Sequence, residues 1–303
     1  MNPVKPVYKA VIPVAGLGTR MLPATKAIPK ELLPIYDRPL VEHVVKEAIS
    51  GGIREIIFVT RSGKEAIENH FDAHYELEHR LVKKGKNKIL EDIVKVVPDD
   101  VKISSIRQPD ALGLGHAILC ARHLINDEPF AILLPDVLVL DKKNREKNFS
   151  FLQLVNAWNN TGISQVMIEQ VDFNSIEKYG IVDPIEKKMN TFETSPLRGL
   201  IEKPALQYAP SNLAVLGRYI LSPKLFNLLQ NIKPGVGGEV QLTDALSKLL
   251  GFDGLNAVKT DADIYDCGNK LGYLSANLAI GMRDPKSKAT IHALFRKLID
   301  DDF

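Results

Sequence analysis

The sequence predicts an α/β fold built on a doubly wound, mostly parallel sheet, and three observations carry that expectation. Short apolar strand-like runs alternate with helix-period runs through the first half of the 303 residues. Such alternation implies right-handed crossovers between parallel strands. In the second half, strand-like runs follow one another across short polar turns, which reads as an antiparallel extension over the carboxyl ends of the sheet. The first strand then breaks into glycines, cations and prolines, at the edge where open α/β sheets bind ligands. The full expectation is a Rossmann-like sheet with an antiparallel extension and C-terminal helices.

The expected strands of the first half are "KAVIPV" (9–14), "REIIFVT" (54–60), "VKISSIRQ" (101–108), "FAILLPD" (130–136) and "SQVMIEQV" (164–171). Between them, "LVEHVVKEAISGG", "KEAIENHFDAHYELEHRLVKKG", "GLGHAILCARHL" and "FLQLVNAWNN" place apolar residues at helical spacing. Gly51 and Gly52 stop the first of these helices. Later strands are "YGIVDPIE", "RGLIEKP" and "NLAVLGRYIL", followed by a helical "EVQLTDALSKLL" and two terminal helices. No repeat, linker or low-complexity segment divides the chain, and "KKGKNK" (83–88) reads as a solvated surface loop. Residues 1–303 therefore read as a single domain.

Composition excludes several partners. Thirty-nine Lys and Arg nearly balance 37 Asp and Glu, so no strong overall field points to nucleic acid or a membrane surface, and any anion site must be local. The opening "MNPVKPVYK" lacks the apolar core of a signal peptide, and "FAILLPDVLVL" is interrupted by Pro135 and Asp136. A cytoplasmic protein is expected. Cys120 and Cys267 form no CxxC pattern and read as reduced thiols. His70 and His74 have zinc-compatible spacing but no third ligand in sequence, and "NHFDAHYELEH" reads as a polar helix face.

The loop "AGLGTRMLPATKAIPKELLP" fits neither familiar phosphate motif. A dinucleotide fingerprint needs a third glycine where Thr19, Arg20 and Pro23 stand, and a Walker loop needs a G-K-S/T that is absent. What remains is a wide loop in which Gly16 and Gly18 let backbone N–H groups approach an anion while Arg20, Lys26 and Lys30 supply charge. Pro23, Pro29 and Pro34 keep it out of regular helix. Gly16 and Gly18 alone are equally a surface turn; with Arg20 and Lys30, phosphate binding is favoured.

"GLGTRMLPATKAIPKELLP" resembles the signature of the sugar-phosphate nucleotidylyltransferases, in the form found in bacterial uridylyltransferases. The resemblance continues through "PLVEHVVKEAISGGI", "ENHFD", "GLGHAILCA", "LLPDV", "YGIVD", "IEKP", "SNLAVLGRYIL", "GGEVQLTDAL" and "YDCGNKLGY", nearly the whole chain. It implies an Mg²⁺-dependent reaction of UTP with glucose 1-phosphate to give UDP-glucose and pyrophosphate, in a homodimer or homotetramer. It also implies that nucleotide binding falls to residues 1 to about 170 and sugar binding to about 171–303. A noncatalytic relative lacks the Thr-Arg pair after the second glycine, whereas Thr19 and Arg20 are both present here.

The other residues suit that chemistry. A sugar phosphate is already an anionic nucleophile, so the barrier to in-line attack is electrostatic and no general base is required. Asp136 leaves an apolar strand toward the ligand edge; alone it is equally a turn cap, but with Asp266 it matches the family's metal-binding aspartates. Lys203 in "IEKP" reads alone as solvated; the resemblance puts it on the sugar phosphate, with Glu202 on sugar hydroxyls. Strand alternation lets only one of the two face a pocket directly, so a turn or bulge is expected there. Gln108 offers a donor and an acceptor that match a uracil edge, and Gly113 and Gly115 let the base lie against backbone. The resemblance assigns Ala15, Gly16, Leu17, Gly18 and Thr19 to the nucleotide and Tyr179, Gly180 and Val215 to the sugar, and makes Arg20, Lys30, Lys203 and Asp136 catalytic. Glu239 and Asp244 are further pocket candidates that could equally decorate a helix. Three rivals stand beside this reading: a related transferase for dTTP or another sugar phosphate, a noncatalytic regulatory paralogue, and a nicotinamide dehydrogenase.

Overall fold

A computed structural model describes residues 3–94, 96–142, 148–235 and 238–300. In chain order its strands are β1 (Lys9–Pro13), β2 (Pro34–Ile35), β3 (Arg38–Pro39), β4 (Glu55–Thr60), β5 (Lys102–Arg107), β6 (Phe130–Leu133), β7 (Val137–Leu140), β8 (Ser164–Gln170), β9 (Gly180–Pro184), β10 (Thr194–Glu202), β11 (Leu213–Leu221), β12 (Leu255–Lys259) and β13 (Asp263–Asp266). The helices are α1 (Leu40–Ser50), α2 (Glu65–Phe71), α3 (Tyr75–Lys83), α4 (Asn87–Val94), α5 (Leu114–Cys120), α6 (Arg122–Ile125), α7 (Phe149–Thr161), α8 (Leu225–Leu229), α9 (Leu242–Asp253), α10 (Lys270–Arg283) and α11 (Pro285–Asp300).

Side chains along a strand point alternately to the two faces of a sheet, and the core divides accordingly. Val11, Ile57 and Val59 pack with α5, α8 and α9 on one face. Their neighbours Ala10, Ile12, Ile56 and Phe58 pack with α1 and α7 on the other. Helices on both faces were expected; a mostly parallel sheet was too, and that part is corrected. Among the described residues the main sheet has nine strands, in the order β5-β4-β1-β6-β11-β8-β12-β10-β9. Strands β5, β4, β1 and β6 are parallel, but β11 is antiparallel to both β6 and β8. Strand β12 then runs parallel to β8, while β10 is antiparallel to both β12 and β9. The sheet is mixed, and the late strands are built into it instead of lying over its end. Strand β11 shows why: "LAVLGRYIL" is buried at all but one of its positions, as a central strand covered on both faces should be.

Other elements also differ from the sequence reading. The run 64–85 splits into α2 and α3, because Asp72 turns extended and the His74 side chain accepts from Leu77 N–H to start a second helix. "KKGKNK" ends one helix and begins α4 at Asn87. Helix α9 begins at Leu242, so Glu239–Gln241 are a lead-in and not its first turn. The run "FAILLPDVLVL" bends at Pro135-Asp136, leaving β7 to pair with β13 as a separate antiparallel ribbon. Among the described residues no helix is long and apolar enough to cross a membrane.

Candidate active site

After β1 the chain crosses the carboxyl edge of the sheet and coils only into single 3₁₀ turns, Thr19–Met21, Ala24–Lys26 and Lys30–Leu32, the last two directly preceded by Pro23 and Pro29. Gly18 takes the left-handed conformation, φ +68°. Its carbonyl accepts the Met21 amide at 3.0 Å and the Thr25 hydroxyl at 2.8 Å, which closes the loop on itself. Among the described residues, the amides of Gly16, Leu17 and Gly18 donate to no carbonyl or side chain. Lys30 runs across this loop: a Cβ on Gly18 would lie 3.3 Å from Lys30 Cβ, and one on Gly16 would lie 3.6 Å from its Cε. The next residue, Glu31, is fully buried and anchors the turn by accepting from Lys64 Nζ at 2.6 Å. Burial nevertheless pushes the Glu31 carboxyl above its ordinary range.

Lys30 reaches Asp136, which stands in the corner between β6 and β7, with Nζ 2.6 Å from Oδ2. Arg20 spans the two expected aspartates, its Nη1 donating to Asp266 Oδ2 at 3.1 Å and its Nη2 lying 3.8 Å from Asp136 Oδ2. The β7–β13 ribbon makes this meeting possible by pairing Val137 with Asp266. Cys267 N–H donates to Asp136 O at 2.8 Å, and Gly268 N–H to Asp266 Oδ1 at 2.9 Å. Burial alone would raise the Asp136 pKa, but the charge and hydrogen bond of Lys30, helped by Arg20, hold it below the usual carboxylate range. Lys30 is held up in turn, Asp136 and Glu31 outweighing its own desolvation. Burial, then Asp136 and Asp266, push the Cys267 thiol up to about 12, so it is no nucleophile.

The two carboxylates also frame a common space. A Cβ on Gly268 would sit 2.5 Å from Arg20 Nη2, 2.9 Å from Asp266 Oδ1 and 3.0 Å from Asp136 Oδ2, so glycine there leaves the room that the Arg20 guanidinium takes up beside the two carboxylates. Two carboxylates bridged by an exposed guanidinium that a phosphate can draw away fit a site where Mg²⁺ takes one or two protein carboxylates beside a nucleotide.

Two cavities meet at Asp136. One of 410 Å³ is lined by Gly16, Gly18, Lys30, Gln108, Gly113 and Glu239, and one of 640 Å³ by Tyr179, Glu202, Lys203, Val215, Thr243 and Asp266; Asp136, Leu114 and Leu134 line both. In the smaller, Gln108 Nε2 donates to Gly113 O at 3.2 Å and lies 3.1 Å from His116 Nδ1. In the larger, Thr243 Oγ1 donates to Glu202 Oε2 at 2.6 Å, and that oxygen stands 3.2 Å from where a Cβ on Gly180 would be. Glu202 ends β10, and Lys203 turns with φ +45°, its amide donating to Tyr179 O at 3.0 Å. That turn lets both neighbours line one cavity, with Lys203 Nζ 3.6 Å from Glu202 Oε1.

Ala15, Leu17 and Thr19 line the smaller cavity. Lys26 lies on an exposed turn and lines neither cavity, nor does Asp244 in the first turn of α9. Gly115 also lines neither; its amide donates to Val240 O at 2.8 Å. Among the described residues no histidine lines either cavity, and His70 is instead engaged by Glu42 Oε2 at 3.0 Å. The sequence reading passed over Thr243, although "QLTDAL" carries a hydroxyl at a helix start, and Glu169, an acid at the end of the apolar run of β8. Burial pushes the Glu169 carboxyl up to about 7, with Lys142 opposing and Asp263 adding to the rise.

The chain matches the sequence model of the family described as Nucleotidyl transferase over residues 9–282. A UTP–glucose-1-phosphate uridylyltransferase of Haemophilus influenzae is 45% identical over 278 residues, 92% of this chain and 94% of that protein. Among solved structures, a UTP-bound UGPase from Acinetobacter baumannii superposes with a TM-score of 0.89 at 44% identity, covering 96% of this chain and 99% of the other. A UDP-glucose pyrophosphorylase complexed with UDP-glucose gives 0.80 at 36% identity, over 92% and 100% of the two chains. The chain belongs to the nucleotidyl transferase family, among its UTP–glucose-1-phosphate uridylyltransferases.

Proposed function

We infer that this chain joins UTP to glucose 1-phosphate. A phosphate oxygen of the sugar phosphate forms a bond to the α-phosphorus of UTP, the bond from that phosphorus to the α,β-bridging oxygen breaks, and UDP-glucose and pyrophosphate leave. The observation that carries this reading is the position of Asp136 on the shared wall of two cavities, with two cations and a second carboxylate around it. Two phosphorylated molecules entering from opposite sides would bring their phosphates together there.

In this reading the smaller cavity takes the nucleotide. The unengaged amides of Gly16, Leu17 and Gly18 face the triphosphate; Lys30 on the same wall, and Arg20 reaching the junction at Asp136 from the larger cavity that it lines, exchange carboxylate for phosphate as charge grows on departing pyrophosphate. Gln108, already fixed through Gly113, keeps its carboxamide oxygen for a uracil edge. Ala15 and Thr19 complete that wall. On the sugar side, Glu202 is oriented by Thr243 to accept from sugar hydroxyls, Lys203 holds the attacking phosphate, and Tyr179, Gly180 and Val215 shape the space for the ring. Asp136 and Asp266 would hold Mg²⁺, which supplies electrostatic stabilisation of the phosphate oxygens. Nucleotide binding thus falls mainly to residues up to about 170 and sugar binding mainly to those beyond, with Glu239 crossing that division one way and Arg20, Val137 and Glu169, which line the larger cavity, the other.

Purified protein with UTP, glucose 1-phosphate and Mg²⁺ should release pyrophosphate and UDP-glucose in equal amounts. In a panel with dTTP and other sugar 1-phosphates, a clear preference for another pair would overturn the uridine and glucose assignment, and no turnover with any pair would overturn catalysis itself.

A further inference from the structure

Strand β11 carries an arginine inside the molecule. Arg218 is 0% exposed and heads the fully buried side chains by volume. A guanidinium in such a place is tolerated only when its charge is paired and its N–H groups are used, because each unmet donor keeps its desolvation cost. All five N–H groups of Arg218 have acceptors. Nε donates to Glu47 Oε1 at 2.8 Å and Nη2 to Glu47 Oε2 at 2.8 Å, a bidentate pair with α1. Nη2 also donates to Val137 O at 2.6 Å, and Nη1 donates to Leu134 O at 3.1 Å and to Gly217 O at 3.3 Å.

The two carbonyls distinguish this arrangement from an ordinary buried ion pair. Leu134 and Val137 bracket Pro135 and Asp136, so the guanidinium grips the ends of the corner that presents the Asp136 carboxylate. Pro135 has no N–H with which to fix that corner, and the Val137 amide reaches Leu134 O only at 3.4 Å. Cys267 N–H holds the middle of the corner through Asp136 O at 2.8 Å, but its two ends, Leu134 O and Val137 O, still need a donor. Strand β11 supplies it through a bulge: between Val215 and Tyr219 its register against β8 slips. Gly217 lies inside that slip at φ +70°, where a Cβ would come within 2.7 Å of Leu134. The bulge brings Arg218 against the corner from behind, while Lys30 meets Asp136 from the cavity side.

We propose that Arg218, locked by Glu47, is a positioning residue for nucleotidyl transfer: it fixes the Leu134–Val137 corner so that Asp136 faces the junction of the two cavities. It touches no substrate. Lysine could not replace it, since one ammonium cannot hold a bidentate carboxylate and two carbonyls together. The inference rests on the reading of Asp136 as a metal-holding carboxylate, and the experiment separates the two.

Mn²⁺ binding to the purified full chain with UTP present, read by electron paramagnetic resonance, should weaken about tenfold or more in R218K; kcat should fall by a similar factor while KM for each substrate stays within about threefold, the mark of a displaced reacting group rather than lost binding. E47Q, which keeps the volume and leaves both carbonyl bonds in place, should show the same pattern more weakly. It serves as the second variant should R218K not fold. D136N is the reference. If D136N loses Mn²⁺ affinity while R218K, or E47Q in its place, is folded and keeps wild-type Mn²⁺ affinity and kcat, the positioning role is overturned and the metal assignment stands. Wild-type affinity in D136N as well would overturn the metal assignment and this inference with it.

Discussion

Two arginines flank Asp136, and they are built for opposite purposes. Arg20 on the cavity side has a side chain 59% exposed and holds Asp266 by one hydrogen bond; Arg218 behind the corner is 0% exposed and spends five. Exposed ion pairs contribute roughly 0–1 kcal/mol, whereas removing one partner of a buried pair costs about 3–5 kcal/mol. A phosphate can therefore draw Arg20 off its carboxylate at little cost, but nothing in the reaction can dislodge Arg218. The difference teaches how one corner can be both reactive and fixed: the charges meant to follow the substrate stand on a loop of 3₁₀ turns at the sheet edge, and the charge meant to stay is in the sheet.

The sharpest way to break that contrast is from the cavity side. Lys30→Ala should lower kcat by about 10²–10³-fold, the usual cost of losing one preorganised charge contact in a transition state, with KM little changed. Initial rates at saturating UTP and glucose 1-phosphate check it, and an effect confined to KM would make Lys30 a binding residue only. From behind, Gly217→Ala should act through the fold: a left-handed non-glycine residue pressed against Leu134 should cost roughly 2–4 kcal/mol of stability, read as a lowered Tm. An unchanged Tm would mean that the bulge tolerates a side chain and does not hold Arg218 in place.

The cavity side was far more legible in the sequence than the buried side, for a physical reason. Gly16, Gly18, Arg20 and Lys30 lie within one loop, so their spacing alone suggests an anion site, and the geometry brings Arg20 and Lys30 to Asp136. Arg218 and Glu47 are 171 positions apart, and only a register slip in β11 joins them. Arg218 nonetheless left a trace as the single charge in the apolar run "NLAVLGRYIL", whereas Glu47 is hidden in "LVEHVVKEAIS" beside Glu42 and Lys46. The same slip accompanies the error over the sheet: alternating strand and helix patterns reveal parallel crossovers, but an apolar strand entering a sheet antiparallel has no periodic signature of its own. Thr243 was passed over because the helix was expected to begin at Glu239; the lead-in ends at Gln241, which puts the hydroxyl beside Glu202.

A smaller effect should separate the Glu202 wall of the larger cavity from both arginines. Glu202→Gln keeps the shape against Gly180 and Thr243 but gives up a charged acceptor, so KM for glucose 1-phosphate should rise about tenfold, the scale of one hydrogen bond to a charged group, with KM for UTP unchanged. A rise in both constants would place Glu202 at the phosphates instead of the sugar.

The smallest expected effect concerns Glu169, which lines the larger cavity and titrates at about 7, mainly because of burial. The groups around it are Asp263, which adds to the rise, Lys142, which opposes it but is itself 3.6 Å from Asp263, and Tyr179, whose hydroxyl is pushed up chiefly by burial and by Asp266 and Glu169. With the folded pKa above the ordinary carboxylate value, the folded state binds the proton more tightly than the unfolded chain. Its contribution to stability is complete below about pH 4.5 and is lost as pH rises through about 7. Glu169→Gln removes that loss, so the Tm difference between variant and wild type should grow in the variant's favour by about 2 °C between pH 5 and pH 8. Parallel Tm profiles would mean that Glu169 is solvated as an ordinary carboxylate. The larger cavity would then hold a second negative charge on its wall beside that of Glu202 at neutral pH.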